Sequence, residues 1–167
     1  MTAEAGTRQI EVFIADYCNA AHAAALVALL DAYASDPAGG GKPLDAAVRE
    51  SLPAALAARP QAFSVLAYDG GQPVGLVNCI EGFSTFAARP LVNVHDVVVL
   101  PSHRGQRVAQ RMFALVEQEA RRRGACKLTL EVLSGNAPAL RAYEREGFAG
   151  YQLDPSFGTA VFLQKKL

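Results

Sequence analysis

An apolar strand end, Val97-Val98-Val99-Leu100-Pro101, runs into Ser102-His103-Arg104-Gly105-Gln106-Arg107-Val108-Ala109, and residues 101–111 hold three arginines and no acid. Strand, short loop and helix start together make an anion cradle. First-turn N–H groups lack helical acceptors there, and the aligned peptide dipoles add partial positive charge. Phosphate is the ligand such a cradle suits; read alone, the arginines also fit a solvated loop. In a second group, Ser134-Gly135-Asn136 and Tyr143, the seven-residue spacing from Asn136 brings amide and phenol to one helix face. Alone, that pair also fits a helix cap and a packed tyrosine. Rival motifs fail. Gly41-Lys42-Pro43 lacks the Ser/Thr of a P-loop, and no G-x-G-x-x-G follows a strand. Gly82-Phe83-Ser84-Thr85-Phe86 lacks the last glycine of a nucleophile elbow, and the adjacent His95 and Asp96 cannot form a serine-hydrolase relay.

The elements that must position these groups follow from pattern. Residues 10–17 read as a strand, and Asn19 as the N-cap of an alanine-rich helix to Ala34 with Leu26, Leu29, Leu30 and Tyr33 as its buried stripe. Asp36-Pro37 and glycines 39–41 break the chain before a helix over about 44–58, which Pro53 is expected to kink or split. Two apolar runs, 63–68 and 73–83, flank Asp69-Gly70-Gly71-Gln72 as a hairpin. A strand over 91–100, a helix over 105–123, a strand over 126–133, a helix over 136–146 and one or two closing strands complete the order. Gly124 and Gly147 stop the two helices. The unit 91–133 is a parallel, right-handed βαβ crossover. Its ligand belongs beyond the strand ends, near 96–109 and 132–143.

With 167 residues, 51% of them hydrophobic, the chain reads as a single domain over 1–167 with a polar tail of about residues 1–8. Sixteen Lys+Arg balance sixteen Asp+Glu, so no general field attracts nucleic acid or an anionic membrane, and neither is expected as a partner. Cys18, Cys79 and Cys126 fit no CxxC or zinc spacing and read as free, mostly buried thiols of a reducing compartment, with no metal. The longest apolar run, 23–30, is too short to span a bilayer, and the first residues do not resemble a signal peptide. The expectation is a cytoplasmic protein.

In this order and spacing, the two chemical segments resemble the Gcn5-related N-acetyltransferase (GNAT) superfamily. That family's pattern is Gln/Arg-x-x-Gly-x-Gly/Ala after a Val-x-Pro strand end, then Leu-x-Leu-x-Val, an Asn, and Tyr-x-x-x-Gly-Phe. Here these are Arg104 to Ala109 after Val99-Leu100-Pro101, then Leu128-Thr129-Leu130-Glu131-Val132, Asn136, and Tyr143-Glu144-Arg145-Glu146-Gly147-Phe148. The match spans about residues 92–148, the expected acyl-CoA-binding core. Arg107 departs from it, standing where the pattern has its middle glycine.

The resemblance implies an α/β (α+β) fold, a mixed, mostly antiparallel twisted sheet with helices on both faces and a central parallel βαβ unit. It implies acetyl transfer from acetyl-CoA (coenzyme A) to a primary amine of a small molecule or peptide by direct attack. The alternative is a non-catalytic acyl-CoA-binding or sensing domain. On this resemblance Arg104, Gly105, Gln106, Arg107, Val108 and Ala109 hold the pyrophosphate, and Val97, Val98 and Val99 pair with the pantetheine arm. The Val97 N–H faces the thioester oxygen as a fixed donor. Asn136 bonds the cofactor arm, and Tyr143 protonates the leaving thiolate. Strict alternation would put Asn93, His95 and Val97 on one sheet face and Val94, Asp96 and Val98 on the other. His95 would then share the face of Val97 as base or water relay, with Glu81 as runner-up and Asp96 as a structural anchor. His22 and His103 are assigned no chemistry. Tyr33, Glu81, Phe83 and Phe86 are the expected walls of the acceptor pocket, and a homodimer is compatible with the resemblance.

Overall fold

Positive φ at Gly70 and Gly71, 56° and 81°, closes the tight turn that the Asp69–Gln72 run predicts and sets the first antiparallel pair. The computed structural model describes residues 10–151 and 154–167; the polar start, 1–8, lies outside them. The chain divides into two compact units, Met1–Thr129 and Leu130–Leu167. In the first, the elements are β1 (Ile10–Ile14), α1 (Ala20–Ser35), α2 (Ala46–Ala57), β2 (Ala62–Asp69), β3 (Gln72–Ser84), β4 (Arg89–Val99), α3 (Val108–Arg122) and the first two residues of β5 (Leu128–Leu130). The strands lie in the order β1-β2-β3-β4-β5, antiparallel from β1 to β4. Cys126 N donates to Pro90 O at 2.8 Å and Val92 N to Lys127 O at 3.1 Å. Both partners advance in the same sense, so β5 runs parallel to β4 after the α3 crossover.

The mixed, mostly antiparallel sheet expected from the sequence is present, with helices on both faces. On one face Leu66, Leu76 and Val98 pack against Ala25, Leu26 and Leu29 of α1, with Leu30, Tyr33 and α2 residues Leu52 and Leu56 partly buried beside them. Asn19 caps α1 as expected, its Oδ1 accepting from Ala21 N at 2.9 Å. On the other face α3 buries Val108, Met112, Phe113 and Val116. A Cβ at Gly75 would stand 3.0 Å from Met112 Cε and 3.2 Å from Val108 Cγ1. The bare backbone of β3 therefore admits the first turns of α3, and with them the loop before it.

Several boundaries differ from the sequence expectation. Helix α2 runs unbroken through Pro53; the one lost N–H bond is offset where Leu52 and Leu56 pack beside α1. Helix α3 begins at Val108 rather than near Gly105, because Gly105 and Arg107 have φ of 75° and 62° and cannot continue a right-handed helix. Strand β5 is three residues long, and no strand follows it among the described residues. Leu133 and the apolar run Val161-Phe162-Leu163 are exposed. Only Cys79 of the three thiols is buried, while Cys18 is exposed and Cys126 intermediate. No helix among the described residues is long and apolar enough to cross a membrane.

The second unit holds α4 (Ala137–Arg145). Asn136 Oδ1 caps it, accepting from Ala139 N at 3.2 Å, and Pro138 sits in the first turn where its missing N–H costs nothing. Gly147, with φ of 86°, ends it.

A Gly75→Val substitution is expected to force Met112 and Val108 aside and to lower stability by about 1–3 kcal/mol, read from the denaturant midpoint.

Candidate functional site

Strand β4 leaves the sheet at Val99 and passes through the short turn Pro101–His103 into the tight segment 104–107 before α3 starts. Two residues with positive φ, Gly105 and Arg107, reverse the chain twice within three positions. The bond from Arg111 N to Arg107 O at 3.1 Å opens the α3 ladder, so the N–H groups of Val108, Ala109 and Gln110 ahead of it have no acceptor within the helix. They gather at the positive end of a fifteen-residue helix, a cradle for an anion of phosphate type. Arg107 is the N-cap of α3, yet its exposed side chain makes no capping hydrogen bond. Arg104 is tied back, its Nε donating to Val99 O at 3.1 Å and its Nη2 lying 3.8 Å from Asp36 Oδ2. Gln106 Nε2 donates to Ser102 O at 2.9 Å. The side chains of Arg104 and Gln106 thus tie the loop back to Val99, Ser102 and Asp36.

The register of β4 on β3 overturns the expected alternation. Val94 pairs with Cys79 and Asp96 with Asn78, so His95 is an extra, bulged residue. Beyond it the faces exchange. Val97 and Val99, opposite Val77 and Gly75, lie on the α3 face with Val92 and Val94, while Asn93, Asp96 and Val98 lie on the α1 face. His95 therefore does not share the face of Val97. Its Nδ1 stands 2.7 Å from Asn93 Oδ1, and Asn93 Nδ2 donates to Thr129 Oγ1 at 3.2 Å. An amide oxygen accepts only, so Nδ1 is the donor of this pair, and in the neutral ring Nε2 is the basic nitrogen. The ring is exposed. Beside it, Val97–Val99 pair with β3 on one edge, and β5 ends at Leu130.

Glu81 lies on the α3 face, and its carboxylate is engaged. Arg123 Nη1 reaches it at 3.1 Å, and the same guanidinium bonds Glu119 at 2.7 Å and sits 4.7 Å over the Phe63 ring. The four expected pocket walls are not brought together. Tyr33 is on α1 across the sheet from Glu81, while Phe83 and Phe86 are 62% and 105% exposed and enclose nothing. Burial first, then the charges of Asp96 and Asp36, hold the Tyr33 phenol above its ordinary value. His103 is bound rather than free: Nε2 lies 3.1 Å from Asp69 Oδ2 and Nδ1 2.8 Å from Ser102 Oγ. His22 Nδ1 accepts from Asp16 N at 3.1 Å. Both rings are engaged by these contacts. No group of His, Cys, Asp and Glu that could hold a metal occurs among the described residues.

Sequence reading missed Thr129, which orients Asn93, and a buried polar line through Ser64, Asn78 and Asp96. The signal was available. Ser64 and Asn78 interrupt otherwise apolar strands, and two polar residues in succession separate Val94 from Val97. In the second unit Asn136 caps α4, and Tyr143, seven residues on, packs edge-on against Phe148 with ring centroids 6.0 Å apart.

The sequence model of the Acetyltransferase (GNAT) family matches residues 24–148. A streptothricin acetyltransferase of Streptomyces lavendulae is 42% identical over 92 residues, covering 52% of this chain and 49% of that protein. An aminoalkylphosphonate N-acetyltransferase of Salmonella typhimurium is 34% identical over 83 residues, covering 50% and 54%. The chain thus spans about half the length of the curated relatives it matches. Among solved structures, an aminoglycoside acetyltransferase from an uncultured soil metagenomic sample, in complex with sisomicin, shares the fold. Its TM-score is 0.77 at 14% identity, covering 95% of this chain and 96% of that one. A ribosomal-protein-alanine N-acetyltransferase from Brucella melitensis gives 0.70 at 17% identity, covering 95% and 100%.

Two outcomes follow from the site's backbone and charge. Arg107→Gly removes the strain of a positive φ and is expected to leave the fold at least as stable, whereas Arg107→Val costs about 1–2 kcal/mol in chemical denaturation. Hydrogen bonds from Arg122, and after them those from Arg123, outweigh partial burial and draw the Glu119 carboxyl from 4.5 down to about 2. Its stabilisation is complete above the unfolded value and is lost as pH falls through the window from 4.5 to about 2. Unfolding free energy followed across that window should fall more steeply in the wild type than in Glu119→Gln.

Proposed function

The chain belongs to the acetyltransferase (GNAT) family, and we propose that it moves an acetyl group from acetyl-CoA to a primary amine by direct attack. The single observation that carries this reading is the head of α3, where the N–H groups of Val108, Ala109 and Gln110 have no acceptor within the helix, within the matched residues. These donors suit the pyrophosphate of coenzyme A, and the exposed Arg107 guanidinium adds a positive charge beside them. Residues 92–148 are the acyl-CoA-binding core of a single catalytic domain over 1–167. In the family's arrangement Val97–Val99 pair with the pantetheine arm and Asn136 bonds it.

Acetyl-CoA supplies an activated acyl group. The residues must then bind its oxygen, take a proton from the amine and give one to the sulfur. The Val97 N–H is the fixed donor toward the acyl oxygen, where negative charge develops as the new C–N bond forms. His95, with its proton on Nδ1, receives the amine proton at Nε2, directly or through one water. Tyr143 gives its phenolic proton to the sulfur as the C–S bond breaks. Glu81, held by Arg123, is the weaker candidate base.

The acceptor is a small-molecule amine rather than a peptide, a choice supported by the names of the relatives, streptothricin acetyltransferase and aminoalkylphosphonate N-acetyltransferase. The reaction takes place in the cytoplasm, where free thiols such as Cys18 stay reduced. A second reading, an acyl-CoA-binding domain without catalysis, is favoured by Arg107 in the glycine position.

Titration with acetyl-CoA, CoA and desulfo-CoA separates these readings from a fold-only likeness. Micromolar binding is expected, weaker by about three- to tenfold in Arg107→Gly and in Asn136→Ala, each of which loses a donor to the ligand. With an amine panel, His95→Ala and Tyr143→Phe should each lower kcat by about a hundredfold. Binding without turnover of any amine would establish the second reading, and no binding at all would sink both.

A further inference from the structure

A line of polar groups crosses the centre of the sheet on the α1 face. Tyr17 Oη lies 2.9 Å from Ser64 Oγ, Ser64 Oγ donates to Asn78 Oδ1 at 2.6 Å, and Asn78 Nδ2 donates to Asp96 Oδ2 at 3.0 Å. Ser64 has one hydroxyl proton and spends it on Asn78, so the Tyr17 hydroxyl is the donor into Ser64. The chain of donors runs one way, from Tyr17 to the Asp96 carboxylate. Burial holds the Tyr17 phenol above its ordinary value, which keeps it protonated as that donor. Ser64 is fully buried and Asn78 is 7% exposed. Inside a core, such a line is stable only with every member satisfied.

The line ends at the bulge. Without the extra residue, the alternation that starts at Val94 opposite Cys79 would set His95 against Asn78 and Asp96 against Val77. Val77 is wholly buried on the α3 face, and a carboxylate there would lose its water with no donor in exchange. Skipping His95 delivers Asp96 to Asn78 and Val97 to Val77 in a single step. The price of correct register is one unpaired residue, His95, which is left exposed beside Asn93.

We infer that Tyr17, Ser64 and Asn78 are positioning residues: the donor chain they form ends on Asp96 and pins the β4 bulge that turns His95 outward and sets the register of Val97. This inference rests on the proposed role of His95 as base, and its test reads the ring separately from the reaction. Ser64→Ala cuts the chain, Ser64→Thr restores the hydroxyl, and Tyr17→Phe removes the first donor from the periphery, where folding is least affected. Ring nitrogen NMR of His95 and amide exchange at Val97 report the bulge. The pH profile of kcat, and the KM for amine and acetyl-CoA, report its use.

In Ser64→Ala the His95 ring signals should leave the Nδ1–H pattern and the Val97 amide should exchange faster. With them kcat should fall on the order of ten- to a hundredfold while acetyl-CoA affinity stays within about twofold. Ser64→Thr should recover most of the loss, and Tyr17→Phe should shift the same signals less. If Ser64→Ala and Tyr17→Phe lower only the melting temperature and leave ring signals, exchange and pH profile unchanged, the inference is overturned. Shifted ring signals in a protein that acetylates no amine would uphold the pinning and instead overturn the transferase reading.

Discussion

Asp96 faces Asn78 although Val94 already faces Cys79, and both faces of the sheet take their residues from that one-residue offset. On the α1 face it gathers Val98 with Leu66 and Leu76 under Leu26 and Leu29. On the α3 face it aligns Val97 and Val99 with Val77 and Gly75. A slip would reverse every side chain beyond His95. It would send Val98 out of the cluster beneath α1 and the Asp96 carboxylate into the one beneath α3. The apolar packing on two sides and the polar pair at the centre therefore specify the same register, and neither face could be built without it.

Gly75 extends that constraint to the anion cradle. Because β3 presents bare backbone at this point, Val108 and Met112 settle against it, and the start of α3 is anchored at its first residue. The tight segment ahead is then left with little freedom. Gly105 adopts its positive φ without penalty, and Arg107 adopts one at a cost that an exposed arginine does not recover through any cap. A chain of zero net charge thus acquires a local positive centre from backbone geometry and one side chain. Attraction of this kind is short-ranged and specific, unlike the field of a basic protein.

Much of the architecture was legible. The Asp69-Gly70-Gly71-Gln72 turn, the Asn19 and Asn136 caps and the Gly124 and Gly147 stops are local devices, in which one residue type satisfies its own backbone or that of a near neighbour. Their positions survive into the structure almost unchanged. The misplaced boundaries depend on distant partners. Helix α2 persists through Pro53 because α1 lies beside it, and β5 stops early because a strand extends only as far as its ladder. Pocket walls are not encoded by residue type: Phe83 and Phe86 are exposed, and Glu81 is captured by Arg123.

The order of motifs, from the Val99-Leu100-Pro101 strand end through Arg104 to Ala109 and on to Asn136 and Tyr143, was sufficient by itself to identify the family and the βαβ unit that bears the cradle. Local spacing carries that information, since a helix start, a cap and a positive-φ turn each depend on a few consecutive residues. Tertiary structure alone decided which side of the sheet each β4 residue faces, what the His95 ring bonds, and what holds Glu81. Those outcomes turn on pairs separated widely in sequence, Asn78 with Asp96, Asn93 with Thr129 and Glu81 with Arg123. A buried polar atom must find its partner wherever the fold brings one within reach.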